Sequence, residues 1–128
     1  ETPALSYAEQ VVKLVNEERA KVGAGALTLD KKIEAAALVR AKEIEISFSH
    51  TRPDGRNFST VLTDAGITFR SSGENIAWGQ RLPEEVVKAW MNSEGHRANI
   101  LNTNFTKIGV GYYQNGTERN YWTQLFTN

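Results

Sequence analysis

The chain holds two histidines, and both stand in polar segments punctuated by glycine or proline: Ser47-Phe48-Ser49-His50-Thr51-Arg52-Pro53-Asp54-Gly55 and Asn92-Ser93-Glu94-Gly95-His96-Arg97. Imidazole is the side chain whose ordinary pKa lies nearest neutral, so it can bind a metal ion, move a proton or switch charge. Between them in sequence lies a carboxylate in a similar setting, Glu74 of Gly73-Glu74-Asn75, and Glu94 stands two residues before His96. Chain turns that brought His50, Glu74, Glu94 and His96 together would build a cleft with acid–base and metal-binding chemistry. Each residue also has a plainer reading. His50 could bond backbone and fix the Pro53-Asp54-Gly55 turn, and Glu74 could pair with Arg70 or Arg97. His96 could cap a helical turn or bond to Glu74, and Glu94 could lie on a solvated face.

Other chemistries find little support. With no cysteine in the chain, a thiol nucleophile, a thiolate metal site and a disulfide framework are all excluded. No Gly-x-Ser-x-Gly elbow occurs, and a Ser93–His96 pair lacks a third member to orient the ring. His50, His96 and one glutamate would match the ligand count of a hydrolytic zinc site, but their spacing matches no compact zinc-protease motif.

The elements that must position these residues follow from pattern. Ser6 with Glu9 three residues on reads as a capping box. Val11, Leu14, Val15 and Val22 then recur at helical spacing until Gly23 and Gly25. Asp30 is the expected N-cap of a second helix to about Ile46, with Ile33, Ala37, Ala41 and Ile44 as its stripe and Ala36 and Leu38 beside it. A short helix is expected over 58–64, and an extended segment over 67–78. Pro83 followed by Glu84 and Glu85 suits the start of a helix reaching about Asn92. Lys107–Gln114 and Asn120–Phe126 read as strands joined through Asn115-Gly116. Helices first and a hairpin last predict an α+β fold, and Trp90, Trp122 and Phe126 are expected in its core.

The 128 residues suit one domain over 1–128, long enough to bury a self-sufficient core. Lys plus Arg and Asp plus Glu number 15 each. That balance gives no electrostatic ground for nucleic acid as a partner. No apolar run reaches the ~20 residues of a membrane span, and Glu1-Thr2-Pro3 lacks the pattern of a signal peptide.

The ordered motifs His50, Gly-Glu74-Asn-Ile-Ala, Trp90-Met-Asn-Ser-Glu-Gly-His96-Arg-Ala-Asn-Ile-Leu-Asn, Phe105-Thr-Lys-Ile-Gly-Val-Gly-Tyr-Tyr and Tyr121-Trp-Thr-Gln-Leu-Phe resemble the CAP superfamily, or SCP domain, and above all its exported bacterial branch. The resemblance runs from about Tyr7 to Phe126. It implies an α-β-α sandwich with a central, mainly antiparallel sheet, a secreted or cell-envelope location, and a cleft of two histidines and two acids. In animal and plant members a glutamate stands where this chain has Ser93, and a histidine where it has Tyr121. The bacterial pattern offers His96 instead.

On this basis His50 and His96 are the expected ligands of zinc or another divalent cation, since two imidazoles suit zinc, copper or nickel better than magnesium or calcium. Glu74 would orient a ring from behind. The expected function is an extracellular binding or interaction module, monomeric, with a lipid, peptide or cell-envelope component as ligand. The alternative is a metal-dependent hydrolase of the same cleft with Glu74 as general base.

Overall fold

The computed structural model describes residues 5–128, so the Glu1-Thr2-Pro3 opening lies outside the described residues. Helix α1 (Tyr7–Lys21) begins at a reciprocal cap: Ser6 Oγ accepts from Glu9 N, and the Glu9 carboxylate accepts from Ser6 N. Two N–H groups that a helix start leaves open are thereby satisfied. Its buried residues are Val11, Val12, Val15 and Arg19. Val22, expected on that stripe, is instead the exposed C-cap residue, and Gly23 turns the chain away with a φ of 75°.

A strand that pattern could not announce follows, β1 (Thr28–Leu29), two residues long and parallel to a later strand. Asp30 Oδ1 then accepts from Lys32 N and Ile33 N to open α2 (Lys31–Ile46). The expected stripe is buried with Ala36, while Leu38 is exposed. Helix α3 (Thr60–Asp64) is two residues shorter at its start than the pattern suggests, and strand β2 covers only Ser72–Trp78. Helix α4 (Pro83–Met91) carries Pro83 in its first turn, and α5 (Glu94–Leu101) follows. Strands β3 (Lys107–Gln114) and β4 (Asn120–Thr127) are joined by a five-residue connection. Asn115 Oδ1 accepts from Thr117 N and Arg119 N there, and the positive φ falls on Glu118 rather than Gly116.

The sheet order is β1-β3-β4-β2, antiparallel except for the β1–β3 pair, with β2 at one edge. Helix α2 covers one face; α1, α4 and α5 cover the other. The result is an α-β-α sandwich of the α+β class. Two glycines set the spacing on the α2 face. A Cβ at Gly109 would overlap the backbone of Ile33 and Glu34, and one at Gly111 the backbone of Ala37 and Leu38. Only a bare backbone lets α2 lie this close to β3. Trp90, Trp122 and Phe126 fill the opposite layer, each at most 1% exposed. No helix among the described residues is long and apolar enough to cross a membrane.

Candidate functional site

Side chains alternate along a strand, and β2 uses this to send its residues into both layers. Glu74 reaches α2 through Arg40, and Ile76 packs on Ile44 of the same helix. Asn75 bonds to α5, and Ala77 joins the cluster around Trp90 of α4.

Glu74 is buried, and its partner is Arg40 rather than Arg70 or Arg97. Arg40 Nε donates to Glu74 Oε2 at 2.6 Å and Nη2 donates to Oε1 at 3.0 Å, a fork-to-fork pair with both side chains fully enclosed. Arg97 Nη1 donates to Met91 O instead, and Arg70 N donates to Asn128 O. One signal pointed to Arg40. It lies on the buried stripe of α2 between Ala37 and Ile44, and a cation at such a position requires a buried partner.

His50 completes the cluster. Its Nδ1 lies 2.8 Å from Glu74 Oε1. A carboxylate paired to a guanidinium accepts, so Nδ1 carries the hydrogen, and the neutral ring keeps its lone pair on Nε2. The side chain is 56% exposed and meets the Phe58 ring edge-on at 6.1 Å. Its loop is fastened on both sides. Arg40 Nη2 donates to Ser49 O at 2.7 Å, and Phe58 N donates to His50 O at 2.8 Å.

Behind that loop the charges alternate in a ladder. Arg40 donates to Glu43, Arg52 donates to both Glu43 and Asp64, and Arg56 donates to Asp64 and Asp54. Burial works to raise the Glu43 carboxyl, but the bonds from Arg52 and Arg40 outweigh it and hold the group below its ordinary value. Asp64 is held down by Arg56 and Arg52. The hydrogen bonds that Arg52 donates to Glu43 and Asp64 outweigh desolvation and raise its guanidinium.

His96 approaches from the other layer, half-buried in α5. Burial, and then repulsion from His50, hold its pKa below the ordinary histidine value. No hydrogen bond joins its ring to Glu74 or to any other group among the described residues. The helix that carries it is tied down by amides and a guanidinium. Asn75 Nδ2 donates to His96 O at 3.1 Å, Asn99 Nδ2 donates to Asn75 Oδ1 at 2.9 Å, and Arg19 Nη1 donates to Ile100 O at 2.8 Å. Glu94 is exposed in the first turn of α5, with no ion pair among the described residues. The structure thus brings His50 onto Glu74 and within electrostatic reach of His96, and joins Glu94 to none of them by a hydrogen bond or ion pair among the described residues. No group of three His, Cys, Asp or Glu among the described residues is placed to hold a metal ion.

The sequence model of the cysteine-rich secretory protein family, CAP, matches residues 12–126. The uncharacterised protein YkwD of Bacillus subtilis (strain 168) is 46% identical over 123 residues, covering 94% of this chain and 47% of its own. The chain therefore spans less than half of that relative's length. Among solved structures, an extracellular SCP-domain protein of Bacillus anthracis superposes with a TM-score of 0.89 at 28% identity, over 99% of this chain and 45% of its own. An outer surface protein of Borrelia burgdorferi gives 0.85 at 22% identity, over 100% of this chain and 98% of its own. The same fold occurs in NaASP2, solved with Zn2+, at a TM-score of 0.68 and 16% identity over 98% of this chain and 83% of its own.

Proposed function

The chain belongs to the CAP family, the cysteine-rich secretory protein family, and on that premise we propose that it is an extracellular binding module whose ligand, a component of the cell envelope, meets the rim between His50 and His96. One observation carries the reading. The buried Glu74 carboxylate commits both oxygens to Arg40 and His50, so it positions an imidazole instead of facing a substrate. A hydrolase of this site would need a carboxylate free to take a proton from water. A catalytic zinc would also need three protein ligands beside its open position. Neither requirement is supported here, and the hydrolase reading is the weaker one.

A divalent cation at this rim would be held by the two imidazoles, with no third acidic or histidine ligand placed beside them among the described residues. His50 would bind through Nε2, the nitrogen turned away from its hydrogen bond to Glu74, and His96 through a ring with no protein partner among the described residues. A bound ion would supply a Lewis-acidic contact for an oxygen or nitrogen of the ligand. The zinc of the NaASP2 structure supports testing zinc first.

Calorimetry with Zn on the wild type and His50→Ala tests the rim. We expect binding weakened at least tenfold in the variant, and equal binding would remove His50 as a ligand. A zinc-loaded panel of peptides, esters and glycans should show no turnover. Turnover that falls by orders of magnitude in a folded Glu74→Gln would overturn the binding reading in favour of the hydrolase.

A further inference from the structure

Large apolar side chains exposed as a group mark an interaction surface, whereas scattered single ones do not. Trp78 at the end of β2 is 51% exposed and Phe48, just past the end of α2, is 52% exposed. Together they line a shallow cavity of about 170 Å³ whose floor is the buried pair Ile44 and Tyr121, with Glu45 and Arg119 at its rim. The other two tryptophans, Trp90 and Trp122, are at most 1% exposed, so Trp78 departs from the rule that this chain otherwise keeps.

Both aromatic residues stand on fixed backbone. Trp78 is registered against Tyr121 of β4, and Gly79 N beside it donates to Asn120 O. Phe48 sits between Ser47, whose N–H donates to Glu43 O, and Ser49, whose carbonyl is held by Arg40. Rings displayed on a rigid frame lose little freedom when a partner stacks on them.

The charges around them are not self-satisfied. Arg119 lies over the Trp78 ring at 5.7 Å and Lys42 over the Tyr113 ring at 5.8 Å. Among the described residues neither cation is within ion-pair distance of a carboxylate. Glu45 keeps its charge but is turned to the hairpin, accepting from Asn115 Nδ2 at 2.6 Å, and the two cations outnumber it. The complement of this surface is a group with a flat apolar face, hydroxyls at its edge and a negative charge.

We propose that the Trp78–Phe48 cavity is a carbohydrate-binding site for a carboxylate-bearing glycan. A pyranose ring stacks its C–H face on the two aromatics, and its carboxylate pairs with Arg119. Trp78 and Glu74 share one face of β2 four residues apart, roughly 13 Å at ~3.3 Å per residue. His50 does not line the cavity, although Phe48 stands two residues before it on the same loop, so the site adjoins the histidine rim without needing a metal there.

The exposure of Trp78 provides a reporter. In a metal-free buffer, oligogalacturonate is titrated into the isotopically labelled protein while the three indole N–H resonances are followed. We expect the Trp78 signal to move and those of Trp90 and Trp122 to stay. By calorimetry, Trp78→Ala and Phe48→Ala should bind at least tenfold more weakly, His50→Ala should bind as the wild type, and a neutral chito-oligosaccharide of equal length should bind at least tenfold more weakly. An unmoved Trp78 indole, unchanged affinity in folded Trp78→Ala, or equal binding of the neutral sugar would overturn the proposal. A response of the same indole to an acidic peptide or to anionic phospholipid vesicles, but not to oligogalacturonate, would also overturn it.

Discussion

Replacing Arg40 with methionine keeps most of the apolar stem and removes the charge, which makes it the sharpest perturbation of the site's support. In the native chain Arg40 has no solvent exposure and donates four hydrogen bonds, two to Glu74 and one each to Glu43 and Ser49 O. Glu43 still has Arg52 when Arg40 is gone, but Glu74 is left enclosed with His50 as its remaining side-chain donor. Breaking a buried pair from one side costs about 3–5 kcal/mol, against about 0–1 kcal/mol for an exposed one. With a urea slope of about 2 kcal/mol/M, the midpoint should fall by about 2 M. Removing both charges in Arg40→Met with Glu74→Leu should cost less than the two single changes together, with a coupling of about 2 kcal/mol or more in the double-mutant cycle. Urea unfolding followed by circular dichroism measures all four proteins. A loss under about 1 kcal/mol in Arg40→Met, or additivity within about 0.5 kcal/mol, would refute the claim that this pair organises the site.

Other outcomes follow from the same geometry. Gly111→Ala should cost about 3 kcal/mol or more, because its Cβ meets α2 backbone that cannot yield. Gly116→Ala, with nothing within 4 Å of a Cβ, should change stability by less than about 0.5 kcal/mol in the same denaturation assay. His96 should titrate below the ordinary value in the NMR spectrum, and His50→Gln should move its midpoint upward. Because that folded value is depressed, the neutral ring's contribution is complete above about pH 6.5 and declines as the unfolded chain takes the proton first. A midpoint at or above 6.5 would refute the burial and the repulsion together. The depressed Glu43 carboxyl works from the acid side. Its contribution is present above about pH 4.3 and is lost below, so Arg52→Met should flatten the loss of stability on acidification, as read by acid-unfolding curves.

Local signals carried much of the architecture. The Ser6–Glu9 and Asp30 caps fix helix starts through bonds between near neighbours, and Pro83 through its locked φ, so sequence alone displays them. The hairpin strands were legible for the same reason, although the connection between them proved longer than Asn-Gly alone suggests. What stayed hidden is long-range. Arg40 and Glu74 are 34 residues apart, and nothing local says which buried cation meets which carboxylate. Arg19 is similar: it is enclosed in α1 and satisfied by the carbonyls of Gly25, Ile100 and Asn102 rather than by any acid. At two residues β1 is too short to alternate, and its parallel pairing depends entirely on β3. The histidines and Glu74 were recognisable as residue types in a motif order. The hydrogen bond between His50 and Glu74, and the lack of one to His96 or Glu94, had to await the fold.

The border of the sheet at β2 carries a consequence for how molecules of this chain behave beside one another. A terminal strand ordinarily offers a row of bare carbonyls and amides, a template on which another chain can polymerise. Here Asn99 Nδ2 donates to Glu74 O at 3.3 Å and Trp90 Nε1 donates to Ile76 O at 3.2 Å. The helices that enclose the core therefore also cap the template, with one amide and one indole in place of a neighbouring strand. Aggregation by sheet extension would first have to strip away α4 and α5, so on this side resistance to fibre formation is coupled to the integrity of the core.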